Sequence, residues 1–396
     1  MKLTHYDGVP VWGDVQDNAL AQIINCMKHP LVHGSALMAD HHLGYAVPVG
    51  GVIAYKGAIS PSGVGYDIAC GNKAVLTDLT FKNVKDRMDA IMDKIFSKLS
   101  FGVGQKNNTL VHHDLYNDPA WEIPAVKELK RNARLQLGTI GSGNHYVDIF
   151  MDEMERIWVG VHFGSRGLGH KIASHYIKAG GGKDGINVDP VVLETCSELG
   201  KEYIAAMELA GRYAYAGRDW VCQTVVDILG GKITEEVHNH HNYAWKETHG
   251  GEEVWVIRKG ATPAFPDQLG FVGGTMGENS VILKGVESEN NKHTYYSTVH
   301  GAGRTMSRTE AAGKTKWVGG TQTRITTGAV TQKMMDTWIK KAGIVLRGAG
   351  LDESPDCYKR LSSVLDAQGD TISIVHTLKP LGVAMASAGT FDPYSD

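Results

Sequence analysis

Glycine is the residue that most constrains this chain. It fills 48 of 396 positions, against a usual share of roughly 7%, and it falls in clusters with no collagen period. The clusters are Gly50-Gly51, Gly63-x-Gly65, Gly138 to Gly143, Gly164 to Gly169, Gly180 to Gly182, Gly273 to Gly277, Gly301 to Gly303 and Gly319-Gly320. Such clusters mark turns with special dihedrals, or backbone in close approach to a ligand. Between them the chain reads as ordinary elements. Val84, Met88, Ile91, Met92, Ile95 and Leu99 recur at helical spacing over 82–99. Residues 191–229 read as two helices broken near Gly211 or Gly217, and 330–342 as a further helix. Strand-like runs are Ile157 to Val161, Val254 to Ile257 and Thr371 to Leu378. The mixture predicts an α+β fold with mixed β-sheets and flanking helices, its glycine-rich loops forming a central pocket at strand ends. No linker divides the loops into two groups. One domain is expected over 1–386, with a loose polar tail over 387–396.

Composition narrows the class. No run of about 18 apolar residues exists, so no membrane partner or spanning helix is expected. The opening MKLTHYDGVPVWGD lacks the apolar core of a secretory signal. The five cysteines (Cys26, Cys70, Cys196, Cys222, Cys357) are odd in number and contain no C-x-x-C. That argues against a disulfide framework or zinc knuckle and for a cytoplasmic location. A net charge of −3 with 21% charged residues excludes a disordered polyelectrolyte and a globally basic nucleic-acid binder. The 18 histidines point to metal or phosphate chemistry.

Six segments carry that chemistry. In Gly65-Tyr-Asp-Ile-Ala-Cys-Gly71, Asp67 and Cys70 can reach one divalent metal; the alternative is a turn aspartate beside a buried thiol. In Gly138 to Asp148, a glycine turn can aim N–H groups at an anion, with Asn144 and His145 as donor and imidazole ligand, or it is a tight turn with a core histidine. In His162-Phe-Gly-Ser-Arg-Gly-Leu-Gly-His170, a strand delivers His162 to a loop with Ser165 and Arg166, which suits a metal beside phosphate; Arg166 could equally be a surface charge. In His238-Asn-His-His-Asn-Tyr243, at most two histidines can share a site, because strand neighbours face opposite ways. Arg258-Lys259 followed by Gly273 to Gly277 suggests a phosphate or nucleotide, or a plain basic surface pair. Finally, His300-Gly-Ala-Gly-Arg304 suits a histidine nucleophile attacking an α-phosphate, with turn N–H groups and Arg304 on the charged oxygens. The alternative there is a structural histidine.

Three absences discriminate. Gly313-Lys314-Thr315 has Arg308 where a Walker A loop needs glycine. There is no H-E-x-x-H, and no Lys-x-Asp-Gly of the lysine-nucleophile ligases. The order of the six segments, with Met38 to Gly44, Gly50-Gly-Val-Ile53 and Pro380-Leu-Gly-Val383, resembles the RtcB family of RNA-splicing ligases over most of the chain. The length resembles its shorter, bacterial-type branch.

The resemblance implies a specific chemistry. Members use GTP and two Mn²⁺ to join an RNA 3′-phosphate or 2′,3′-cyclic phosphate to a 5′-hydroxyl, in tRNA splicing or RNA repair, some with an archease-type activator. By the resemblance Cys70 bridges both ions, Asp67 and His145 complete one, and His162 and His241 the other. His300 would form a histidine–GMP intermediate. Asn144, His145, Asp148, His241, Asn242, Gly274, Thr275, Met276, Gly277, His300, Gly301, Ala302, Gly303 and Arg304 match the nucleotide-contacting stretches. His42 stands as a pocket member without a role. The chain departs from the family pattern at Ala69 (usually Gly), Phe163 (usually Ser) and Met385 (usually a guanine-contacting Lys). Two other readings remain: a dinuclear metal phosphoesterase opening cyclic phosphates, and an RNA-binding or end-protecting protein. Neither needs His300.

Overall fold

The Arg156–Phe163 strand is apolar along most of its length because both of its faces are covered. It lies inside an eight-stranded sheet, in the order 233–240, 71–80, 156–163, 146–151, 372–387, 280–285, 269–272, with Val345–Ala349 added in parallel along the long strand. A six-stranded sheet runs in the order 4–6, 9–11, 32–42, 49–55, 252–259, 242–249. The architecture is α+β, with helices flanking these sheets. The structure, a computed structural model, describes residues 3–318 and 321–387. Gly319-Gly320 and most of the expected tail, residues 388–396, lie outside that range.

The helix expected at 82–99 forms as Phe81–Val84 and Met88–Lys98, parted by a tight turn. The helix expected at 330–342 is Gln332–Ala342, capped by the Thr331 hydroxyl and ended by Gly343 at φ +67°. The three strand runs lie within Arg156–Phe163, Glu252–Lys259 and, apart from Thr371 at its edge, Ile372–Ser387. The last strand includes Ser387, the first residue of the expected tail.

One expectation fails. Residues 198–229 form a single helix of 32 residues, not two. Gly211 and Gly217 sit inside it and serve packing. A Cβ on Gly211 would lie 3.0 Å from the Tyr243 ring, and one on Gly217 would lie 3.4 Å from Phe163. Glycine in a helix interior costs about 1 kcal/mol against alanine; close approach to the sheets offsets it. The lower half of this helix packs Val221, Cys222, Val225, Val226 and Leu229 into a core with Ile149, Val159 and Val161.

The two sheets meet where the chain leaves one for the other. Ile233–His240 belongs to the large sheet and Asn242–His249 to the smaller one, so His241 stands at the crossing. Ser297–Val299 pairs with Ala261–Pro263 and delivers His300 to the same place.

Candidate active site

A turn carries the first two groups: Cys70 N–H donates to the Asp67 carbonyl at 3.0 Å. Ala69, between them in the chain, holds φ +60°, a left-handed backbone that costs an ordinary residue about 1–2 kcal/mol. His145 enters from the adjacent loop. Its Nδ1 lies 3.0 Å from the Ile140 carbonyl, which aims Nε2 at Asp67 Oδ2 (3.1 Å) and Cys70 Sγ (3.5 Å). His162, paired in register with Asn72 and Tyr146, brings its Nε2 to 3.2 Å from the same sulfur. The His241 ring lies 5.0 Å from that of His162 and 4.9 Å from that of His300. The run ends on Asp40, fully buried, whose Oδ2 is 2.7 Å from His300 Nδ1 and accepts from the N–H groups of His300 (3.0 Å) and Gly301 (3.3 Å). Gly303, at φ +75°, lies so near the Asp40 carbonyl that a Cβ would approach it to 2.4 Å. No side chain fits there.

One cavity gathers Asp67, Cys70, Asn144, His145, Asp148, His162, His241, Asn242, Gly274, Thr275, Met276 and the turn from His300 to Arg304. His42 lines it too. Gly277 does not; it packs against Trp338 and Ala342. Of the three clustered histidines only His241 reaches the cavity. His238 and His240 turn away and bond the Arg218 guanidinium at 2.8 and 2.9 Å. Arg258 does not line this cavity: it is fully buried and paired with Glu247 at 2.7 Å. Lys259 lines the cavity, with Nζ donating to the Tyr45 and Val47 carbonyls. Arg304 lines the cavity, but each of its nitrogens has a protein partner, among them Tyr358 Oη at 2.9 Å and the Asp352 carbonyl at 2.8 Å. Arg166 is no loose surface charge, since Nη1 lies 3.1 Å from His145 Nδ1.

Electrostatics follow burial. Burial pushes the Asp67 carboxyl up, but the His145 hydrogen bond and charge, with Arg166, outweigh it and bring it down to about 2. Burial and the Asp67 carboxylate push the Cys70 thiol up. Burial, then neighbouring cationic groups, holds His162 and His241 well below the ordinary imidazole value, so both are neutral at pH 7. At the other end, Asp148 sits opposite Val383 and Tyr146 opposite Met385. Burial raises the Asp148 carboxyl, and its Oδ1, like Thr275 Oγ1, has no hydrogen-bond partner among the described residues.

These groups fit a metal. The donor atoms of Cys70, His145 and His162 lie within 4.8 Å of one another, all three residues buried. Buried His241 Nδ1 has no hydrogen-bond partner among the described residues, and neutral imidazole is the ligand form. Sequence reasoning left Asp40 without a role. Asp40 stood inside a matched stretch, but its tie to His300 spans 260 residues, which no local spacing reveals.

A metal-capable cluster beside a carboxylate-backed histidine, at the seam of two sheets, defines a candidate metal-dependent class of site. Comparison with known proteins narrows it. The family described as tRNA-splicing ligase RtcB matches residues 22–386. The RNA-splicing ligase RtcB of Escherichia coli K12 is 31% identical, over 94% of each chain. The tRNA-splicing ligase RtcB of Thermococcus kodakarensis is 30% identical, over 93% of this chain and 91% of its own. The RNA-splicing ligase RtcB homolog 1 of Entamoeba histolytica is 30% identical, over 92% of this chain and 83% of its own. The chain belongs to the RtcB family.

Proposed function

We propose that this protein is an RNA ligase that joins RNA 3′-phosphate or 2′,3′-cyclic phosphate ends to 5′-hydroxyl ends, consuming GTP and using two Mn²⁺. Family membership supports the ligase reading. The observation that carries the mechanism is the 2.7 Å contact between His300 Nδ1 and buried Asp40, in the same cavity as Cys70, His145 and His162.

Asp40 Oδ2 lies 2.7 Å from Nδ1, and a proton held on Nδ1 would leave Nε2 its lone pair for attack. His300 Nε2 attacks the α-phosphate of GTP; the P–N bond forms as the P–O bond to pyrophosphate breaks. An oxygen of the RNA 3′-phosphate then displaces the histidine, and the 5′-hydroxyl displaces GMP. A cyclic end is first hydrolysed to the 3′-phosphate. Asp67, Cys70, His145, His162 and His241 would hold the Mn²⁺ ions, which supply Lewis-acid neutralisation of the phosphates and activation of water. Asn144, Asp148 and the 274–276 loop offer polar groups for the nucleotide. Two carboxylates of the site are engaged by imidazoles: Asp67 faces His145, and Asp40 faces His300 Nδ1.

The test supplies Mn²⁺, GTP and an RNA pair with 3′-phosphate and 5′-hydroxyl ends. Sealing that requires both cofactors, with a GMP adduct that vanishes in His300→Ala, is expected. Sealing of 5′-phosphate ends, or full activity in His300→Ala, would refute the reading. Retained cyclic-phosphate opening without sealing in wild-type protein would favour a phosphoesterase.

A further inference from the structure

Arg218 is a fully buried guanidinium whose hydrogen-bond partners among the described residues are not carboxylates. Burying such a charge is costly, and interior arginines are ordinarily matched by acids. Here the partners are two carbonyls and two imidazoles. Nη1 donates to the Ala69 carbonyl at 3.0 Å and the Phe163 carbonyl at 2.6 Å. Nη2 contacts His240 Nδ1 at 2.9 Å, and Nε donates to His238 Nε2 at 2.8 Å.

The chain positions of these partners matter. Ala69 precedes Cys70, Phe163 follows His162, and His240 precedes His241. Three separate segments, each carrying one proposed ligand, are thus tied to a single planar group on the long helix. Rigid packing alone does not need this, since apolar side chains would hold the same strands more cheaply. Supporting hydrogen bonds behind a metal centre fix ligand geometry and strongly affect affinity.

We infer that Arg218 is the positioning residue of the metal centre: one guanidinium sets the mutual spacing of Cys70, His162 and His241. This rests on the metal reading given above. Lysine cannot replace it, because a single ammonium cannot span four acceptors in a fixed plane.

The test is metal binding to the full chain, read with Co²⁺ alone. Calorimetry gives affinity, and the thiolate-to-cobalt charge-transfer band reports the Cys70 bond. Arg218→Lys is expected to bind Co²⁺ at least tenfold more weakly, in line with the roughly 10–100-fold typical of lost supporting contacts. Its band should be weakened or shifted, while the metal-free protein keeps the wild-type circular dichroism. Unchanged affinity and band in that variant would overturn the assignment. If R218K does not fold, His240→Gln, which loosens one tie and keeps the charge, is measured instead with the same two outcomes. Wild-type protein that takes up no Co²⁺ would instead overturn the metal reading beneath it.

Discussion

Ala69 holds a left-handed conformation in the turn that presents Cys70. Its N–H donates to the Asn242 carbonyl at 2.7 Å and its own carbonyl accepts from Arg218, so the turn cannot relax by rotating. Glycine would adopt the same φ without a Cβ clash. The glycine variant also gains unfolded-chain entropy, but at positive φ the relief of strain exceeds that loss. Ala69→Gly is therefore expected to raise unfolding free energy by about 1 kcal/mol in urea melts; a lower midpoint at equal slope would contradict this. Ala69 was legible in the sequence as a departure from the family pattern, yet the cost of that departure was not, because a dihedral is invisible to spacing. Asp40 shows the converse. Its neighbours were matched, but its purpose depends on a partner brought in by a distant strand. Arg258 and Lys259 looked like phosphate ligands on paper, and their nitrogens are spent on Glu247, Ser297 and backbone carbonyls instead.

At the scale of elements, the hairpin of Asn242–His249 and Glu252–Lys259 carries that buried pair. Arg258 reaches Glu247 at 2.7 and 3.2 Å, Ser297 Oγ at 2.8 Å and the Tyr295 carbonyl at 2.6 Å. It thus ties the small sheet to the strand that delivers His300. Burial pushes the Glu247 carboxyl up, but Arg258 and His249 outweigh it and lower it. A carboxyl lowered on folding stabilises above its unfolded value, about 4.3, and that contribution is lost as pH falls through the folded value. Glu247→Ala strands Arg258 and should cost about 3 kcal/mol at pH 7. The gap to wild type should shrink below roughly pH 4. Urea melts of both proteins at pH 7, 5 and 3.5 check this, and a gap constant with pH would exclude the ion pair as its source. Elements with a clear apolar period were legible in the sequence: the 82–99 and 330–342 helices and the three strand runs. The long helix was misread because glycine inside a helix resembles a break until Tyr243 and Phe163 are seen packed against it.

Across the whole molecule, the candidate site draws on His162 from a strand of the large sheet, His241 from the crossing between the two sheets, and Asp67, Cys70, His145 and His300 from turns and connections. The net charge of −3 offers RNA no general attraction, so phosphate contact must be concentrated where cations are held. An ion bound by residues this far apart in sequence favours only the folded chain. Mass action then stabilises that state by about 2.7 kcal/mol when free metal reaches 100 times its dissociation constant. The donor set decides which ion. A thiolate and several imidazoles suit Mn²⁺ better than Mg²⁺, which prefers oxygen ligands and keeps its water. Chelator-treated protein should therefore melt several degrees higher with Mn²⁺ than without, and shift less with equal Mg²⁺. Cys70→Ser should lose most of the Mn²⁺ shift while keeping a metal-free melting temperature close to wild type, since serine is nearly isosteric in that turn. Differential scanning fluorimetry across a metal titration measures both. Equal Mn²⁺ shifts in wild type and C70S would place the bound ion elsewhere on the molecule and remove Cys70 from the centre.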